Sequence, residues 1–187
     1  MTQKSALLVL DMQVSILSNY LTDATPVING VAMAISIARQ KNISVIYVVS
    51  GFRKNAPELS ANNKFYSANE ERYKKGNPEE LLKIHPGVKP EKDDIIINKR
   101  RFGAFEGTEL ELVLRALNIH HIILAGFSTG GVILSTVRSA ADKDYRITLL
   151  SDACADRDEE VHRILLTKVF PRQADVITIE EWENQAD

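Results

Sequence analysis

The chain has 187 residues, 44% of them hydrophobic and 26% charged, with a formal net charge of −2. That length buries a substantial core without disulfides or metals, and that balance excludes a disordered chain and offers no electrostatic footprint for nucleic acid. A lone cysteine, Cys154, excludes an internal disulfide framework and makes a reducing cytoplasm the default. The N-terminal stretch "MTQKSALLVLDMQ" has no long apolar region with a small-residue cleavage site, and no run approaches the roughly 20 apolar residues of a membrane span. The expectation is one domain over residues 1–187, mature, soluble and cytoplasmic.

Six short runs rich in Val, Ile and Leu recur along the chain: Ala6–Leu10, Val45–Val49, Asp94–Asn98, His121–Ala125, Arg146–Leu150 and Asp175–Ile179. Most are apolar throughout rather than alternating, which suits strands covered on both faces. Helical patterns lie between them. Thr25-Pro26 reads as an N-cap and first-turn proline, followed by Val27, Val31, Ala34, Ile35 and Ala38 at helical spacing. Thr108 opens "TELELVLRALNI", Gly130 to Lys143 follows the fourth run, and Asp158 to Phe170 starts acidic and ends basic, as the helix dipole prefers. Strand and helix in alternation imply right-handed crossovers and a three-layer α/β/α sandwich with a six-stranded parallel sheet. The segment Ser50 to Lys92 breaks this rhythm with one short helical pattern near Pro78–Ile84; it reads either as a solvated excursion or as a lid or subunit contact.

In an open parallel sheet, ligands gather beyond the carboxyl ends of the strands. After the first run come Asp11 and Gln13. A partly desolvated carboxylate there has a raised pKa suited to proton transfer, although Asp11 also reads as a turn cap. Lys99 follows the third run, either as a partner that holds Asp11 ionised and helps neutralise an anion or as a solvated surface lysine. After the fourth run, in "GFSTGGVILST", Gly130 and Gly131 open a helix, where converging N–H groups suit a developing oxyanion; the same glycines also suit a plain tight turn. In "SDACADRD", Asp152 reads as a cap or brace.

Together these motifs resemble the isochorismatase-like cysteine hydrolases, which include nicotinamidases, carbamoylsarcosine amidohydrolases and isochorismatases. The likeness runs from "ALLVLDMQ" through "KRRFGAFEGTELELVLRALNI" and "AGFSTGGVILSTVRSAADKDY" to "SDACAD". It implies a pocket near a subunit contact, a homo-oligomer, and a cis peptide at Phe127–Ser128. In the amidases of this family an aspartate deprotonates a cysteine, a lysine assists, and the thiolate attacks an amide carbon. Asp11 and Lys99 match the first two, but the nucleophile position holds Val132, so covalent acyl transfer at that site is unavailable. Cys154 does not match it and reads as a small buried apolar side chain. Nicotinamidases also carry metal-binding aspartate and histidines after the second strand; here that stretch is "SGFRKNAPE", with Arg53 and no histidine, so no metal and no cofactor are expected.

Isochorismatases have glycine at the cysteine position and use the aspartate as a general acid on a vinyl ether. This chain keeps Asp11 and Lys99 but has Thr129, Gly130 and the bulkier Val132 where those enzymes carry alanine, histidine and glycine. The sequence therefore points to a hydrolase working by non-covalent acid–base chemistry on a vinyl ether or C–N bond, with Asp11 and Lys99 catalytic. The pocket is expected to be lined by Gln13, Phe52, Arg53, Phe105, Phe127, Ser128, Thr129, Gly131 and Val132. Its apolar walls suit a small, partly apolar ligand, and Arg53 suits an anionic one. The alternative is a family member that lost its chemistry and binds a small metabolite or a partner protein.

Overall fold

The structure, a computed structural model, describes residues 4–185. Six strands, β1 (Lys4–Leu10), β2 (Ser44–Ser50), β3 (Ile95–Lys99), β4 (Ile119–Phe127), β5 (Arg146–Ala155) and β6 (Asp175–Ile177), form one sheet in the order β3-β2-β1-β4-β5-β6. Every pairing between neighbouring strands is parallel.

The strands read as unbroken apolar runs because their alternating side chains enter two different cores. On β1, Ala6, Leu8 and Leu10 join one cluster while Leu7 and Val9 join the other; on β4, Ile122 and Leu124 part from Ile123 and Ala125 in the same way. Both faces of the central strands are therefore dry, as parallel sheets require. The helix α1 (Val14–Tyr20) follows β1, and α2 (Thr25–Gln40) covers one face through Val27, Val31, Ala34 and Ala38. In the excursion after β2 come three short helices, α3 (Lys64–Ala68), α4 (Glu70–Lys75) and α5 (Pro78–Leu82). The opposite face is covered by α6 (Leu110–Ala116) and α7 (Leu134–Ala141), which contribute Leu110, Leu114, Val137 and Ala140. After β5 come α8 (Glu159–Ile164) and, beyond β6, α9 (Ile179–Glu183).

Several boundaries differ from the sequence reading. The sixth strand ends at Ile177 rather than Ile179, because Thr178 and Glu181 form a reciprocal capping box that starts α9. The segment after β4 begins not as an α-helix at Gly130 but as a π-helical turn, Thr129–Ile133, that runs on into α7. Ala24 rather than Thr25 is the N-cap of α2, with Asp23 Oδ1 accepting from Thr25 N at 2.8 Å. The excursion holds more helix than the single pattern at Pro78–Ile84 indicated, and Phe52, Ala56 and Tyr66 give it a small core of its own. Among the described residues no helix is long and apolar enough to cross a membrane.

Candidate functional site

Strand order reverses at β1, whose neighbours β2 and β4 carry the chain to opposite edges, so a crevice opens beyond the carboxyl ends of β1 and β4. A cavity of about 320 Å³ lies there, lined by residues at or just beyond the carboxyl ends of β1, β2, β3, β4 and β5 and by residues of α1, α3, α4, α5 and α8. Asp11, one residue past β1 with φ at 49°, is brought to its floor. Lys99, the last residue of β3, reaches it from two strands away: Nζ lies 3.1 Å from Asp11 Oδ2 and also donates to Arg101 O at 3.0 Å. The two side chains are only 5% and 1% exposed, so this pair is held out of bulk water.

The carboxylate is not saturated by its partner. Asp11 Oδ1 is buried with no hydrogen-bond partner among the described residues. Burial pushes the Asp11 pKa up; the charge and hydrogen bond of Lys99 act against this without cancelling it. Such a group is poised to exchange a proton with whatever occupies the cavity.

The π-helical turn forms a second wall. Gly130 N donates to Asp156 Oδ2 at 2.6 Å, which joins the turn to the loop after β5. Thr129 Oγ1 donates to Ala155 O at 3.1 Å and lies 2.8 Å from His162 Nδ1, a second tie between the same segments. Gly131 and Val132 lie in the first turn of the helical run, which opens at Thr129 and whose first bond back to Ser128 O comes from Ile133 N, so their N–H groups belong to the turn that a helix leaves without intrahelical acceptors. A Cβ on Gly131 would lie 2.8 Å from Ser128 Oγ, so glycine keeps this wall close-packed. The peptide Phe127–Ser128 is cis. Val132 borders the cavity, is 4% exposed and packs into the hydrophobic core, so the wall is apolar where the sequence resemblance places a thiol.

Of the residues the sequence nominates, Asp11, Lys99, Phe127, Ser128, Gly131 and Val132 meet around this cavity, and five lie elsewhere. Gln13 is fully buried and clamps the backbone, accepting from Ser50 N at 2.6 Å and donating to Ser50 O and Leu81 O at 2.9 and 2.6 Å. Phe52 is buried behind the wall in the excursion's own core, edge-on to Tyr66 and Tyr73. Phe105 packs against Tyr145 in the main core, and it is Phe102, three residues earlier, that borders the cavity. Thr129 is fully buried beneath the turn, with its hydroxyl committed to Ala155 and His162. Arg53 has a 70% exposed side chain paired with Glu58 at 2.8 Å, so it supplies no charge to the cavity.

Sequence reading missed the wall contributed by α1, α3 and α4: Tyr20, Phe65, Tyr66, Arg72 and Tyr73. The aromatic spacing within "NNKFYSANEERY" was its available signal. Burial raises the pKa of the Tyr66 and Tyr73 phenols, Tyr73 to about 12, so these two stand as neutral hydrogen-bond donors at neutral pH. Asp156, Arg157 and Asp158 border the cavity from the loop after β5. Cys154 is buried within the core, where desolvation pushes its thiol up to about 12. Among the described residues no cluster of three or more His, Cys, Asp or Glu has a metal-binding arrangement.

The fold and its cavity define a parallel α/β protein with a candidate small-molecule site at the switch point of its sheet. The isochorismatase domain model matches residues 5–181, and the chain belongs to the isochorismatase family. It is 40% identical over 98 residues to the isochorismatase family protein YecD of Escherichia coli O157:H7, a match spanning 52% of each chain, about half of that relative's length. It is 30% identical over 173 residues to the ureidoacrylate amidohydrolase RutB of Yersinia enterocolitica, covering 81% of this chain and 75% of that one. A crystal structure of a cysteine hydrolase from Pseudomonas syringae pv. phaseolicola shares the fold with a TM-score of 0.86 at 24% identity, over 96% of this chain and 91% of that one.

Proposed function

We propose that this protein hydrolyses a small, partly apolar substrate by acid–base chemistry without a covalent intermediate. The observation that carries the proposal is Asp11: a buried carboxyl group with a raised pKa and an unpaired oxygen, on the floor of a cavity of about 320 Å³. In this reading protonated Asp11 gives its proton to the vinyl carbon of an enol ether, or to the leaving nitrogen of a C–N bond. Water then adds to the electron-poor carbon, and its released proton returns to the carboxylate. Lys99 stabilises that carboxylate while it is ionised, and the N–H groups of Gly131 and Val132 polarise the substrate. With valine at the nucleophile position, no acyl-enzyme forms there.

The ureidoacrylate amidohydrolase relative makes C–N cleavage a natural part of the substrate panel. The rival reading is a binding module, and the packing of Val132 into the hydrophobic core is the observation that favours it. Mass spectrometry of products from a panel of small amides, ureides and vinyl ethers, run for the unmodified protein and Asp11→Asn, separates the two. Turnover that disappears in the variant is the expected result. No turnover by either protein, with a ligand still retained, establishes the binder instead.

A further inference from the structure

The excursion places an unneutralised guanidinium in an aromatic wall of the cavity. Arg72 sits on α4, half-buried, with Nη2 donating to Ser15 O at 3.0 Å. Its guanidinium carbon lies 5.9 Å from the ring centre of Tyr20 and 6.0 Å from that of Tyr73. Its acidic helix neighbours are engaged elsewhere, Glu70 with Lys74 and Glu71 with Lys75, and among the described residues no carboxylate lies within ion-pair reach of Arg72. The other cations near the cavity differ. Lys99 is paired with Asp11, and Arg157 is exposed between Asp156 and Asp158.

The rest of the wall is flat and apolar. Tyr20 stacks near-parallel on Phe127, with ring centres 6.1 Å apart and planes at 23°, and Tyr66 stacks on Phe102 at 5.6 Å and 29°. The Tyr73 phenol lies within electrostatic range of both Arg72 and Asp11, so the guanidinium and the carboxyl serve one compact space. A cavity of about 320 Å³ is at the small end for ligand sites, which run roughly 300–1,000 Å³. An unpaired guanidinium offers a planar fork of donors matched to a carboxylate, and flat rings favour a flat partner.

We propose, building on the reading of this cavity as a substrate site, that Arg72 binds the carboxylate of a small planar acid whose conjugated body lies between the aromatic walls. Substrates of this site are then unsaturated or aromatic carboxylic acids, and their uncharged analogues bind weakly. A charge-assisted contact of this kind is worth about tenfold or more in affinity.

The test is calorimetric titration of the full chain with benzoate and with benzamide, at low and high ionic strength, for the unmodified protein, Arg72→Gln, Arg72→Lys and Asp11→Asn. Benzoate is expected to bind about tenfold more tightly than benzamide, with the preference weakened by salt. Arg72→Gln should reduce that ratio to near one, Arg72→Lys should restore part of it, and Asp11→Asn should retain it. Equal binding of the two probes, no binding of benzoate at millimolar concentration, or an unchanged ratio in Arg72→Gln each overturns the assignment. Circular dichroism identifies any variant that fails to fold, and the salt dependence in the unmodified protein then decides the question. A benzoate preference without turnover of any panel compound leaves this subsite standing while the hydrolase reading falls; turnover of uncharged amides with Arg72→Gln unaffected does the reverse.

Discussion

Replacing Lys99 with methionine isolates the central electrostatic arrangement of the site. Lys99 and Asp11 are 1% and 5% exposed and 3.1 Å apart, so the substitution leaves a carboxyl group buried without its cation. Removing one partner of a buried pair costs about 3–5 kcal/mol when the remaining charge persists. The carboxyl group has a second course, which is to take up a proton. Each unit by which the loss of Lys99 raises its folded pKa further costs about 1.4 kcal/mol at a pH above the folded value.

The sign of the pH dependence follows from the same reasoning. Asp11 already has a raised pKa through desolvation, and losing Lys99 raises it further. Between the unfolded and folded pKa values the native state holds more protons than the unfolded one, so the variant loses stability as pH rises through that window. Urea unfolding followed by the fluorescence of Trp182, the sole tryptophan and a buried one, reads this directly. The expected result at pH 7 is a loss of about 3–5 kcal/mol that becomes smaller as the pH is lowered. The double variant Lys99→Met with Asp11→Asn should recover most of the loss, because no charge is then buried. A loss below about 1 kcal/mol, or one independent of pH, would refute the account of Asp11 as a desolvated carboxyl group restrained by Lys99.

Two further outcomes follow from the surrounding walls. Native protein should resist iodoacetamide, since Cys154 is buried with its thiol pushed up to about 12, whereas Val132→Cys should take up one label per chain because its side chain borders the cavity; equal labelling of the two proteins counts against this placement. Gly126→Ala should cost at least about 3 kcal/mol, because its φ is +127° and a Cβ would come within 2.1 Å of Leu10 O, whereas Gly107→Ala, at φ +67° with no atom within 4 Å, should cost only about 1–2 kcal/mol; similar melting temperatures for the two variants would contradict this contrast.

The sheet was legible because burying both faces of a parallel strand forces an unbroken apolar run: each of the six runs lies on a strand, five of them within two residues of both its ends, while β5 continues five residues past Leu150 to Ala155 through the less apolar stretch "SDACA". Asp11 and Lys99 were legible for a related reason. A polar residue directly after such a run must emerge at the carboxyl edge, and both emerge at that edge of one parallel sheet, from strands with only β2 between them. Gln13 shows the limit of that inference. It too follows β1, but three hydrogen bonds to the backbone turn its amide into the join between β2 and α5, an outcome that depends on where the excursion returns.

The excursion is where sequence reasoning lost the site. Arg53 and Arg72 are both arginines after β2, and proximity to the strand end favoured the first. What separates them is their neighbours in space. Arg53 has Glu58 five residues on and turns outward, whereas Arg72 lies on a helix whose acids are paired with its own lysines at i,i+4, which leaves the guanidinium to face Tyr20 on α1 and Tyr73 on its own helix. Phe52 and Phe65 divide in the same way: the ring beside the strand end is sealed inside the excursion's core, while the ring on α3 reaches the cavity. The strand ends thus supply the buried Asp11–Lys99 pair, and the fold of the excursion supplies an aromatic wall of the cavity beside it. A chain with the same Asp11 and Lys99 but a different segment between Ser50 and Lys92 would therefore keep the buried pair and change the wall beside it.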